Sequence, residues 1–345
     1  MPVIIEFSRC VGTYSSAKFE LLTVCVLGIS FFSSSKVYAS ELQNEEVKKN
    51  VTIQTFLSDM NEMGDYSAIK FLKNVEGDNR YIYLPFSTEG YLIYDMDLDI
   101  IHEYSTVTGN SYIEGYNDIY YTSALGYYEK DSDQDNIFVE IATGKVIGDY
   151  ETFSIMAESI DNSIIEKNNI SGTLRESVFA GNTSGKISGK VPNYSYNPDG
   201  ICGSTAAGMY LRWYDLNVNG NYVPSSLESS DGVNLIKHLR GYIDGSKPGS
   251  TTGDVYSGII SYCSAQGIKH NGGYALVDIS YVIGRVDTYE TPFILGLYNH
   301  PTYKNHWVTG YGYSISGGSN FATVNDGWGN TEVSINLINC DYIIW

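Results

Sequence analysis

Positive charge is scarce in this chain. Its 345 residues carry 21 Lys and Arg against 40 Asp and Glu, for a formal charge of −19. Such a surface repels phosphate backbones and anionic lipid heads, which argues against nucleic acid as a partner. Cysteine is scarce too. There are five, and Cys10 and Cys25 precede residue 39, leaving Cys202, Cys263 and Cys340. Three is too few for a disulfide-stapled scaffold and odd, so at most one bridge forms and at least one thiol stays free; Cys263 and Cys340 read as buried small side chains, with a Cys263–Cys340 bridge as the alternative. Motifs of the CxxC, HExxH, phosphate-loop and EF-hand types are absent, so no metal and no nucleotide cofactor is expected. The acidic run at 131–136 reads as a solvated turn rather than a calcium site.

Long apolar runs are missing as well. The only candidate, residues 20–32, is too short to span a bilayer comfortably. Arg9 and Lys18 precede it, and Val37-Tyr38-Ala39 follows with small or apolar side chains at the −3 and −1 positions of a cut after Ala39. That is the plan of a secretory signal peptide over 1–39, which makes the expected location extracellular, with no membrane contact after cleavage.

What the chain does have is tyrosine, 31 of them, and an apolar fraction of 43% that suffices for a buried core. Tyrosine favours strands and keeps a polar tip, so the expectation is a sheet-rich chain with exposed tyrosines. Length allows two domains of about 100–200 residues. Residues 40–65 read as a polar linker into one amphipathic helix, and 66–150 as short strands broken by Gly, Asn and Asp. One helix is expected within 151–180. The Gly/Ser/Lys stretch 181–190 is an exposed linker and the natural place for proteolytic nicking. Beyond it, helices are expected at 203–216, 228–242, 253–266 and near 278–288, then strands at 292–299, 306–315, 320–325, 332–336 and 341–345. Helices first and antiparallel strands second make an α+β domain over 191–345.

Three places in this half carry chemistry. Cys202, in NPDGICGSTAAGMYL, sits where a turn gives way to a helix, and a helix N-terminus favours a thiolate. Its own N–H is then free for an oxyanion. His306 opens a strand and is preferred to His300 because regular alternation starts there. In VNDGWGN, Asp326 is the first candidate to orient the imidazole and Asn325 the second, with Trp328 as a roof over the pair.

The order Cys, His, then Asp or Asn before Gly-Trp-Gly resembles the papain-like cysteine peptidases. CGSTAAGMYLRWY with PFILGLYN and HWVTGYGY is most similar to secreted relatives of the double-glycine, bacteriocin-processing peptidases, and VNDGWGN also looks like the corresponding string of streptopain-type enzymes. The resemblance covers 191–345. It implies a papain-like fold, peptide or protein substrates, and a Cys202–His306–Asp326 site. Ser204 stands where the double-glycine peptidases have Pro. Their upstream Gln is not present, so Asn197, with Asn193 as fallback, is the candidate second oxyanion donor. LPFSTEGYLIYD and EYS vaguely resemble streptopain-type propeptides, which implies a bacterial zymogen whose β-rich residues 40–190 restrain the enzyme. Two alternatives stand beside this reading. One is an inactive peptidase-like binding or adhesin protein; the other is an amidase or transpeptidase acting on cell-wall peptides.

Overall fold

The computed structural model describes residues 44–134, 136–174, 183–247, 249–297 and 306–345. The signal-peptide segment 1–39, the loop with His300, and residues 181–182 of the linker lie outside them. The chain divides into two units, Met1–Asn50 and Val51–Trp345. In the first, residues 44–47 make a helical turn and Lys48 pairs with Glu45.

The second unit mixes α and β structure around one large sheet. It opens with helix α1 (Val51–Met60). Strands β1 (Lys70–Lys73), β2 (Asn79–Pro85), β3 (Tyr91–Asp95) and β4 (Ile100–Ser105) follow, then the short α2 (Ser111–Glu114). Next come β5 (Tyr120–Tyr121), β6 (Tyr127–Lys130), β7 (Ile137–Glu140), β8 (Lys145–Asp149), and the long α3 (Tyr150–Leu174). The segment 183–190 supplies β9 (Ser184–Lys186). Helices α4 (Cys202–Asn217), α5 (Val233–Arg240), α6 (Thr252–Ala265) and α7 (Ile279–Ile283) come with the short β10 (Tyr274–Leu276). The chain ends in β11 (Phe293–Leu297), β12 (Trp307–Ser316), β13 (Ser319–Asn325), β14 (Val333–Asn336) and β15 (Cys340–Ile344).

Along the sheet the order is β10-β15-β11-β12-β13-β14-β4-β3-β2-β1-β5-β6-β7-β8, with β9 added on β12. The pairings are antiparallel except β1 with β5. The N-terminal strands join the C-terminal ones where β4 lies against β14, Ser334 opposite Tyr104 and Ile335 opposite Glu103. Strand β12 is shared along one edge: β11 covers Trp307 to Gly310, and β9 covers Gly312 to Ser314. The stretch expected to be only linker therefore adds a strand, pinned by the buried Ile187.

Helix α4 is buried on nearly every side, because β12 lies along it and α5 and α6 pack on it. Val255, Ile259 and Cys263 form the inward stripe of α6, as their spacing of four requires. A second cluster places Phe153, Met156, Ile160 and Ile164 of α3 over Tyr120, Tyr128 and Phe138.

The tyrosines depart from expectation. Tyr81, Tyr121, Tyr127, Tyr210, Tyr262 and Tyr313 are among the largest fully buried side chains. Burial is tolerated because several hydroxyls find acceptors: Tyr127 and Tyr121 reach Glu103, Tyr313 reaches Asp287, and Tyr262 reaches the Tyr222 carbonyl.

Candidate active site

Cys202 is the first residue of α4. A single turn over Pro198–Gly200, with Gly200 at φ 72°, delivers the chain to it. The Thr205 hydroxyl donates to the Tyr196 carbonyl at 2.8 Å and ties that segment to the helix. The cysteine is in no disulfide, and neither are Cys263 and Cys340. Burial pushes the Cys202 thiol up to about 12; the Trp307 and Gly203 amides oppose this, while the charges of Asp244 and Glu140 reinforce it.

His306 stands immediately before β12. Its Nε2 lies 2.7 Å from the main-chain carbonyl of Asp326. A carbonyl only accepts, so Nε2 carries the hydrogen and Nδ1 is left as the ring's proton acceptor. The imidazole lies flat on the Trp328 indole, centroids 3.8 Å apart and planes 2° from parallel. Burial pushes the imidazole down to about 4, against the Asp326 carbonyl. Burial thus favours the neutral form of both groups.

The sequence VNDGWGN makes the turn after β13. Gly327 at φ 82° and Gly329 at φ 109° take backbone shapes that L side chains rarely adopt. The buried Asp326 carboxylate closes this turn: it accepts from the amides of Trp328 at 2.8 Å and Asn330 at 3.0 Å, and from Asn330 Nδ2 at 2.8 Å. A fourth donor is the Tyr112 hydroxyl at 3.1 Å. Asp326 thus meets the imidazole through its main chain, while its side chain holds the loop. Burial raises the Asp326 carboxyl, and those donors oppose the rise. The Asn325 side chain is engaged elsewhere. Its Nδ2 donates to the Pro192 carbonyl at 2.9 Å, and its Oδ1 accepts from Thr331 at 2.6 Å. Asn197 is nearly buried beside the same turn, its Oδ1 without a hydrogen-bond partner. A methyl placed on Gly327 would stand 3.9 Å from its Nδ2. Asn193 binds the Gly329 carbonyl through Nδ2 at 2.6 Å.

Cys202, His306, Trp328 and Asn197 line one cavity of about 980 Å³. The opposite wall comes from the N-terminal strands and α3, including Leu125, Glu140, Lys145 and Met156. Leu125 belongs to the turn between β5 and β6 and packs in the same apolar cluster as Cys202. It is only 4% exposed and holds φ 64°, a strained conformation for a branched side chain. Two bonds hold the turn there. The Leu125 amide donates to Glu103 Oε2 at 2.6 Å, and the Ala124 amide to Asn339 Oδ1 at 3.4 Å. Glu103 is fully buried and also accepts from Tyr91 at 2.8 Å, Tyr121 at 3.4 Å and Tyr127. Burial raises its carboxyl, and the tyrosine hydroxyls and the Leu125 amide oppose that. Sequence reading missed Leu125 and Glu103. The sequence signal for Glu103 is an acid within the strand-like run IIHEYS; for Leu125 there was none.

Among the described residues no group of three or more His, Cys, Asp or Glu is arranged to hold a metal ion, and no helix is long and apolar enough to cross a membrane. No protein-family model matches the sequence, and no curated protein matches it. Among solved structures it is similar to a mutant prointerpain A fragment from Prevotella intermedia, with 10% identity and a TM-score of 0.41, over 80% of this chain and 97% of that one. At that distance the similarity assigns no chemistry, which rests on the geometry above.

Proposed function

We propose that the chain is the precursor of a papain-like cysteine peptidase, with residues 191–345 as the enzyme and 40–190 as its restraint. One observation carries the reading. A cysteine at a helix N-terminus and a histidine whose Nε2 hydrogen is taken by a carbonyl line a single cavity.

In the opened site the Cys202 thiol passes its proton to His306 Nδ1 and the sulfur attacks a peptide carbonyl carbon. The tetrahedral oxyanion draws on the Cys202 amide and the Asn197 side-chain amide. His306 then protonates the leaving amine as the C–N bond breaks, leaving a thioester. Water, deprotonated by His306, adds to that thioester. The carboxylate product leaves and the thiol is restored. The Asp326 carbonyl keeps the imidazole in the required tautomer throughout, and Trp328 keeps its plane.

The closed state runs none of these steps. With burial favouring the neutral form of both groups, the sulfur is a poor nucleophile, and the turn through Leu125 walls the cavity that holds them. Leu125 does so with a left-handed backbone, unlike the extended strand that a peptidase cleft cleaves. A signal peptide over 1–39 would place the protein outside the cell.

Incubation of the purified full chain tests the proposal. Wild type should release a fragment cut near 181–190, or gain thiol-sensitive peptide hydrolysis after limited nicking by an added serine peptidase. Cys202→Ser should do neither. Hydrolysis that survives in Cys202→Ser, or its absence from nicked wild type, would overturn it.

A further inference from the structure

The helix that presents Cys202 lacks a cap of its own. Its N-cap is Ile201, which makes no side-chain bond to the first turn, and no acidic residue lies in that turn. Buried helix amides without acceptors are costly. A buried acceptor reaches this turn from elsewhere in the chain. Asp244, just after α5 and 2% exposed, accepts the hydroxyl hydrogen of Ser204, itself fully buried in that first turn. Burial raises the Asp244 carboxyl, and the Ser204 hydroxyl, Ser250, the Ser204 amide and the charge of Arg240 oppose the rise.

The approach depends on Gly203. A methyl there would stand 3.3 Å from Asp244 Oδ1 and 2.2 Å from Ser250 Oγ. The residue beside the nucleophile is therefore kept small by the Asp244–Ser250 loop and by Val255, whose Cγ2 would stand 3.0 Å away.

Building on the peptidase reading, we infer that Asp244 is a positioning residue for Cys202, capping from outside the helix that carries the thiol. The arrangement has two opposed effects. As an acceptor, the carboxylate fixes the first turn and with it the sulfur. As a charge, it stands near Cys202 and disfavours the thiolate. The groups facing Asp244 are Ser204, Ser250, Cys202 and, from the end of α5, Arg240.

The opposition makes the role testable. Asp244→Asn keeps an acceptor and removes the charge, whereas Asp244→Ala removes both. The probe is iodoacetamide, with its reaction at Cys202 of the full chain followed by mass spectrometry from pH 6 to 10. Cys263 and Cys340 serve as internal controls. In Asp244→Asn the Cys202 midpoint should fall by about one pH unit, making alkylation below it about tenfold faster. In Asp244→Ala the nicked enzyme should lose at least about tenfold in kcat with KM little changed. If Asp244→Ala does not fold, Ser204→Ala deletes the single bond and should reproduce that kcat loss. A kcat that falls as far in Asp244→Asn as in Asp244→Ala, or a Cys202 midpoint that moves in neither, would overturn the inference. A Cys202 reactivity that ignores His306→Ala would instead overturn the peptidase reading. The thiol titration separates the two failures.

Discussion

Replacing Leu125 with Ala should unseat the turn at 122–126 and expose Cys202. In the closed chain Leu125 is 4% exposed and holds φ 64°, which costs an L-residue about 1–2 kcal/mol. Burial of its side chain, worth about 1.5–3 kcal/mol, offsets that cost. The amide bonds to Glu103 and Asn339 do the rest. Alanine keeps both bonds and the strained φ but loses the burial. Buried Leu→Ala changes cost about 2–5 kcal/mol. If only the low end of that falls on docking of the turn, the open state gains about 30-fold in population. A pulse of iodoacetamide at pH 8, read site by site, measures it directly. Cys202 should be alkylated at least about 30-fold faster than in wild type, while the fully buried Cys263 in α6 stays protected. Two results would refute the reasoning. Cys202 could keep its wild-type rate in a folded variant, or Cys263 could rise in parallel, which would report global unfolding rather than release of the turn.

Asp326→Asn should leave His306 in place, because its acceptor is a main-chain carbonyl. It should cost about 1–3 kcal/mol of stability, since the new amide faces donors; urea titration and hydrolysis by the nicked enzyme check this, and loss of all turnover in a folded variant would mean that the carboxylate itself acts in catalysis. Burial holds His306 at about 4, below its ordinary 6.5. The closed state therefore takes up the proton less readily than the open one, and its stability should decline as pH falls from about 6.5 to 4. A denaturation midpoint that is flat across that window in wild type, or equally sloped in His306→Ala, would contradict this. Burial alone would raise Asp95, but His102 and Arg80 outweigh it and hold it at about 2. Its contribution is thus present above its ordinary 3.8 and lost as pH falls towards 2; thermal unfolding from pH 5 to 2 should show that slope in wild type and lose it in Asp95→Asn.

The strand and helix runs were largely readable because they rest on local patterning. YIYLPF, GYLIYDMD and DIIHEYS became β2, β3 and β4, and the helix starting around Cys202 follows from a turn signal set against an apolar run. The Gly-Trp-Gly turn was readable for the same reason, since Gly327 and Gly329 supply positive φ. What could not be read depends on contacts distant in sequence. Nothing local to Asp244 says that it meets Ser204. Nothing near Tyr112 says that it reaches Asp326. Tyrosines looked exposed because their hydroxyl partners, Glu103 above all, lie on other strands. The group that orients His306 was sought among side chains, yet a sequence lists only side chains and the acceptor here is a backbone oxygen.

Proton sharing between Cys202 and His306 is best tested by trapping the sulfur. The full chain carrying Leu125→Ala is exposed to an epoxysuccinyl peptide at pH 7, with and without His306→Ala. The expected result is one adduct per chain, on Cys202 alone, formed at least about 100-fold faster when His306 is present. Equal rates with and without the imidazole, or adducts spread over Cys263 and Cys340, would show that no such pair operates.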